Sequence, residues 1–333
     1  MKNIVLVLSM FFCNTLFAGN ASELIAEIKG RTLVVVLEST IKPKYDKLKE
    51  EDKVAYSKAV ENYNRKLREV TDSFWVINKK VEYKTWEQAE ELIKSGSKSY
   101  LLLYAGNYSV QPSAIEMIQK GLKFYPNIFA DGDKREYMDY FTSYKLCFIE
   151  DFRKGKYLVA RTISNIWPLK EDMVFAYQYI QCILKETERT GTSMDVQKAA
   201  NSYNAELSNS TLYLKKDITD NSVNDATLRK YYSADSKIVS RDTLLASIME
   251  KRNIVYVEVV PVWVGTGEAN RLSYEHVAMN ASKGVIVGYS APNYGVLHAT
   301  MGNGTFFKYV SVGSLEKYLS SHSNDQHSNE QRE

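Results

Sequence analysis

The chain has four histidines and three cysteines, and these residues bound its catalytic chemistry. There is no His-x-x-x-His pair and no Cys-x-x-Cys, so the spacing gives no reason to place a structural zinc site, and no metal or cofactor is assigned. His276 alternates with Tyr274 and Ala278 in a strand-like run. Its neighbour Glu275 suggests acid–base work. Adjacent strand residues point to opposite faces, however, so these two do not cooperate and His276 is expected to be a half-buried sheet residue. His298 is isolated, and His322 and His327 lie in a polar tail. Cys147 as a nucleophile would need a nearby histidine, and His276 sits in the matching hairpin of the second half. In an oxidising compartment Cys147 and Cys182 could form a disulfide. The preferred alternative is two buried thiols in separate elements, since a chain of this size needs no staple.

Two acidic stretches invite a calcium reading. Asp131-Gly132-Asp133 continues to Glu136 and Asp139, but Arg135 and Thr142 stand where an EF-hand loop needs ligands. Asp217 to Asp225 lacks the central glycine and the closing Glu. Both are read as solvated loops. Gly265-Thr266-Gly267-Glu268 follows a strand, as a phosphate loop would, without a third glycine or a helix start. No Gly-x-Ser-x-Gly elbow and no Gly-Lys-Ser/Thr loop is present. No catalytic residue is assigned. The candidate ligand-binding residues are Trp263, Tyr274 and His276, with the helix starting near Glu171 as a further contributor of contacts.

Composition narrows the partners. The 43 basic against 40 acidic residues leave a net charge of +3, which gives no nucleic-acid footprint. Tyrosine is abundant at 24 residues; its apolar body and polar tip suit half-buried sheet faces. The N-terminus reads as an export signal over residues 1–18. Lys2 supplies the positive charge, Ile4 to Phe12 the apolar run, and Leu16-Phe17-Ala18 a cleavage site before Gly19. The run is shorter than the roughly 20 residues a spanning helix needs, and the bulky Phe12 before Cys13 argues against a lipid anchor. The expectation is an exported protein, periplasmic or secreted, with the outer membrane as a further location. It is not expected to be an integral membrane protein.

These residues must be positioned by elements that the pattern reveals. Ser22 to Lys29 reads as a polar entry. Thr32 to Leu37 is a short β-branched run, a strand buried on both faces. Tyr56, Val60, Tyr63, Leu67, Val70 and Phe74 form one helical stripe. Val81 to Tyr83 is a strand, Thr85 caps a helix to Lys94, and Tyr100 to Tyr104 is a buried central strand. Beyond Ala105 the chain turns irregular, with a short helical stretch at Ala114 to Lys120. A hairpin follows through Gly155. Glu171 opens a helix apolar almost all round, ended by Gly191. Ser193 is the expected cap of a second helix, Met194 to Leu207.

The opening order then recurs. Thr211 to Leu214, Ala226 to Tyr232, Lys237 to Val239, Asp242 to Glu250 capped by Ser240, and Ile254 to Val260 repeat strand, helix, strand, helix, strand. A second hairpin turns at Gly284, and Gly313 to Ser320 is a last helix. The fold class is therefore α/β (α+β), two tandem duplicated units with mixed sheets. The expected bounds are 22–165 and 209–320, a helical spacer at 166–208 and a disordered tail at 321–333.

Each half, through Leu33 to Leu37, Tyr100 to Tyr104 and the hairpins at Gly155 and Gly284, resembles the N-terminal domain of TolB and related bacterial envelope lipoprotein domains. The whole chain, through Tyr63-Asn64 to Trp75 and Lys80 to Thr85, is similar to uncharacterised exported proteins of Bacteroidetes-type bacteria. The second resemblance implies an envelope location and no chemistry. The expected function is a non-enzymatic binding or assembly module of the cell envelope, its partner another envelope protein or a surface ligand. The alternative is an exported hydrolase or transferase using His276.

Overall fold

The computed structural model describes residues 21–39, 49–106, 142–163, 165, 168–192, 195–264, 271–292 and 309–319. The export signal, the Ala114 helix, the Asp131 stretch, Gly265 to Glu268, His298 and the tail lie outside the described residues. The chain is mixed α/β and divides between Met194 and Asp195 into two units, each built on a five-stranded mixed sheet.

In the first unit, helix α1 (Ala21–Gly30) leads into β1 (Thr32–Val36). Then come α2 (Glu50–Phe74), β2 (Val81–Lys84), α3 (Trp86–Ser95), β3 (Tyr100–Gly106), β4 (Ser143–Phe148), a single turn α4 (Ile149–Phe152), β5 (Val159–Thr162) and α5 (Lys170–Thr190). The sheet order is β2-β1-β3-β4-β5. β1 runs parallel to both neighbours, and β3, β4 and β5 are successively antiparallel. The run at Tyr100 is thus the middle strand. One face of the sheet packs Val34, Val36, Leu102 and Cys147 against Ala89 and Ile93 of α3. Alternation sends Leu33, Val35, Leu101, Leu103, Tyr144 and Leu146 to the other face, all buried. There Tyr144 meets α2 and α5: its hydroxyl lies 3.1 Å from that of Tyr63, and its ring stands edge-on to Tyr177 at 5.8 Å. The whole helical stripe from Tyr56 to Phe74 is buried as its spacing predicts.

The second unit contains α6 (Val196–Tyr203) with a 3-10 turn (Asn204–Asn209), β6 (Thr211–Lys215), α7 (Asp225–Tyr231) and β7 (Ser236–Val239). It continues with α8 (Arg241–Met249), β8 (Ile254–Val264), β9 (Arg271–Asn280), β10 (Val285–Ser290) and α9 (Val312–Leu319). Its order, β7-β6-β8-β9-β10, and its strand directions repeat those of the first sheet. Both hairpin turns place a glycine at positive φ, +68° at Gly155 and +63° at Gly284, where a side chain would be strained. Pro261 is tolerated in the middle strand because β6 pairs only as far as Tyr256, so the missing amide breaks no bond to β6.

Three sequence expectations change. The polar entry at Ser22 is helix α1, with Ala21, Ile25 and Ile28 buried at spacings of four and three. The expected spacer at 166–208 does not stand apart. Helix α5 packs on α1, α2 and β5 of the first unit, which explains its all-round apolar character, and α6 packs on β10 of the second. The second helix is shorter than expected and is capped by Asp195, whose carboxylate accepts from the Lys198 amide at 2.8 Å. The Asp217 to Asp225 stretch is exposed over most of its length, as its composition predicts, with Ile218 and Val223 buried beneath it. Asp217 pairs with Arg241 at 2.6 Å, and Asp220 accepts from the Ser222 amide at 2.8 Å.

The N-terminal ends of the two sheets are locked by different chemistry at the same place. In the first unit the buried Arg31 guanidinium donates to both oxygens of Glu150 at 2.8 Å, pairs with Glu27, and lies 4.0 Å over the Phe148 ring. In the second, Asn280 donates to the Ser210 hydroxyl and to Asn253 Oδ1, both at 3.0 Å, and its own Oδ1 accepts from the Lys283 amide at 2.9 Å. Arg31 holds the Glu150 carboxyl below the ordinary Glu range. This contribution is therefore complete above the unfolded value of about 4.3 and is lost as pH falls through the lower folded value. Arg31→Ala is expected to cost about 1.5–3 kcal/mol at pH 7, the range for hydrogen bonds to charged groups, and to flatten the loss of stability on acidification. Urea melts at pH 7 and pH 3 check both effects.

Candidate functional site

In open α/β sheets, ligands sit outside the carboxyl ends of the parallel strands, where successive crossovers diverge. Here the chain passes from β1 outward to β2 and then back across β1 to β3. The divergence lies between β1 and β3 in the first unit and between β6 and β8 in the second. The residues that reach this edge are the ones to weigh.

In the second unit the edge holds a charge pair. Lys215 Nζ donates to both carboxylate oxygens of Glu258 at 2.8 and 2.7 Å, and each side chain is 1% exposed. Lys215 closes β6, and Glu258 follows four residues into β8. The alignment Tyr213↔Tyr256, carried two residues further, sets the pair side by side. Glu258 faces Val277 and Val260 faces Glu275, so Glu275 shares the sheet face of the pair; its carboxylate accepts from the Tyr289 hydroxyl at 2.9 Å. Burial of two opposite charges costs several kcal/mol each in desolvation, which a bidentate geometry offsets only in part. The pair fixes the register of β6 on β8, because a slipped strand would leave one buried charge alone.

In the first unit the same edge carries Tyr104 where β8 has Glu258, and Lys145 of β4 is its cross-strand neighbour. Lys145 is half-buried, 5.6 Å from the centre of the Tyr157 ring. Tyr104 stands edge-on to Phe152 at 5.3 Å and to Trp86 at 5.8 Å. Burial pulls the Lys145 amine below its ordinary value.

The residues named from the sequence fall elsewhere. Tyr274 and His276 share one face of β9, opposite Pro261 and Val259, and are buried; Trp263 pairs with Leu272 in the backbone, its side chain lying outside the described residues. His276, expected to be half-buried, is 1% exposed. Alternation puts it on the face away from Glu275 and Glu258. It occupies the position that Tyr144 holds in the first sheet, since Tyr144 pairs with the sixth residue of β3 and His276 with the sixth of β8. The helix starting near Glu171 belongs to the first unit, while Trp263, Tyr274 and His276 belong to the second.

Cys147 and Cys182 form no disulfide; both are buried thiols. Cys147 lies on the α3 face of the sheet, whereas α5, which carries Cys182, packs through Tyr177 on the Tyr144 face. A sheet separates them, and a disulfide needs Cα atoms within about 7 Å. Burial pushes the Cys147 thiol up to about 12, far from a nucleophile's range. Among the described residues no group of three His, Cys, Asp or Glu could hold a metal ion, and no helix is long and apolar enough to cross a membrane.

No protein-family model, curated protein or solved structure matches this chain.

Sequence reasoning missed Lys215 and Glu258, although one signal was present. A carboxylate in the middle of Ile254 to Val260, in a strand buried on both faces, demands an internal cation. Lys215→Met alone is expected to cost about 3–5 kcal/mol by leaving Glu258 buried and unpaired, and Lys215→Met with Glu258→Leu to recover most of it. Denaturant melts of the two single variants and the double variant close the cycle. His276→Ala, which empties a buried sheet position, is expected to lower stability by about 1–3 kcal/mol; an unchanged melting temperature would argue against packing as its role.

Proposed function

We propose that this chain is an exported, non-enzymatic binding or assembly module of the bacterial cell envelope, built by tandem duplication of one α/β unit. The observation that carries the reading is the shared plan of the two sheets. Each has the order 2-1-3-4-5 with the same strand directions, and the strands align residue by residue from Thr32 with Tyr100 and from Thr211 with Ile254. Two duplicated units that keep one backbone but carry different side chains at the ligand-binding edge fit a module that presents two distinct surfaces. The element order of each unit also supports the resemblance to TolB-like envelope domains, and the charged start followed by an apolar run supports export. The partner on this reading is another envelope protein or a surface ligand.

The test is a C-terminally tagged copy expressed in a bacterial host, fractionated, and sequenced from its N-terminus. The expected product begins at Gly19, sits in the periplasm, medium or outer-membrane fraction, and retains an envelope component after cross-linking. An unprocessed chain recovered from the cytosol would overturn the address. A processed chain that cross-links to nothing in repeated trials would overturn the binding role.

A further inference from the structure

The two units treat a lysine at the same edge of the sheet in opposite ways. In the second, the lysine is closed off with an internal carboxylate, Glu258, at 2.7 Å. In the first, the position of Glu258 is taken by Tyr104, and no carboxylate among the described residues lies within ion-pair distance of Lys145. Lys145 is held close over the end of β3. A Cβ added at Gly106 would come within 2.9 Å of its Cε and 3.1 Å of its Nζ, so the glycine leaves the room the side chain occupies. Around it stand half-buried aromatic rings on the same face, Tyr104, Tyr157 and Phe152, with Trp86 next to Tyr104.

We propose that Lys145 is the charged centre of a binding site for an organic carboxylate with an apolar body. The acid group supplies Lys145 with the counter-charge that Glu258 gives Lys215 in the second unit, and the body packs on Tyr104, Phe152 and Tyr157. A cation partly stripped of water and resting near a ring gains most from an anion that brings its own apolar surface. The site lies at the carboxyl end of the parallel strands, beside the divergence between β1 and β3. It rests on the reading of the chain as a binding module. A cytosolic, unprocessed product would overturn the address yet leave this binding intact.

The carboxylate could belong to a small aryl acid or to a peptide C-terminus, and both arms are tested on the processed full chain by calorimetry. The probes are phenylacetate, N-acetylphenylalanine and, as the neutral control, phenylacetamide. Saturable binding of either acid, and none of the amide, is expected; binding of N-acetylphenylalanine alone would identify the peptide terminus as the source. Lys145→Gln should weaken binding at least tenfold, as should Gly106→Ala by displacing the amine, while Lys154→Gln, an exposed lysine of the hairpin turn, should leave it unchanged. Affinity should fall as pH rises through the lowered value of the Lys145 amine, earlier than an exposed lysine would allow. Reductive methylation with carbon-13 formaldehyde gives a readout in the parent protein that needs no variant, since the Lys145 methyl resonance should move on adding acid. The proposal is overturned if neither acid binds saturably, if a folded Lys145→Gln binds as well as the parent, or if the Lys145 resonance stays fixed at saturation.

Discussion

Both units depend on one constraint, a short parallel strand pair buried on both faces. β1 and β6 each lie between two parallel neighbours; β1 is buried from Leu33 to Val36, and β6 at Leu212, Leu214 and Lys215, with Thr211 and Tyr213 half-buried. Such strands must be almost wholly apolar, or any polar group they carry must find its partner inside. β1 satisfies the first condition with Leu33, Val34, Val35 and Val36. β6 departs from it at Lys215, and the departure is compensated within the sheet by Glu258. The buried pair is therefore an internal solution forced by the architecture.

The same logic accounts for the other buried polar groups. On the face opposite α3, the first unit uses phenols. Tyr63 and Tyr144 share a hydrogen bond, and Thr71 approaches the Tyr177 hydroxyl at 3.1 Å while donating to the Leu67 carbonyl. Burial drives these phenols upward, so they stay neutral across the physiological range. The second unit places His276 where Tyr144 stands. At the N-terminal ends, a charged Arg31 clamp in one unit corresponds to a neutral Asn and Ser network in the other. Two units of one strand order thus solve the same satisfaction problem with different residue types. This explains why the halves share punctuation and order while sharing few residues.

How legible this was in the sequence follows from the range of each interaction. The stripe from Tyr56 to Phe74, the caps at Thr85 and Ser240 and the turns at Gly155 and Gly284 are local, and local pattern found them. Helix α1 was lost because only Ala21, Ile25 and Ile28 mark its buried face, beside an N-terminal segment already read as an export signal. The boundary between the units was misplaced for a related reason. A helix buried all round looks alike whether it separates two domains or is enclosed by one, and only its packing on α1, α2 and β5 decides.

The candidate site was less legible because register determines it. Lys215 and Glu258 are 43 residues apart and become neighbours only through the pairing of β6 with β8. Lys145 and Tyr104 likewise depend on the alignment of β3 with β4. Histidine drew attention at the sequence level because its chemistry is familiar. The pairing of the strands instead brings lysines to the carboxyl edge of the parallel strands, and a sequence offers lysines in dozens and composition treats them as surface. The useful rule for a doubly covered sheet is to look for a charge inside an apolar strand, then for the strand-end cation that must answer it. In the first unit no carboxylate among the described residues answers Lys145, and the proposed ligand acid would fill that role. By that rule the carboxyl edge of the first sheet, and not the histidine of the second, is where binding chemistry should be sought.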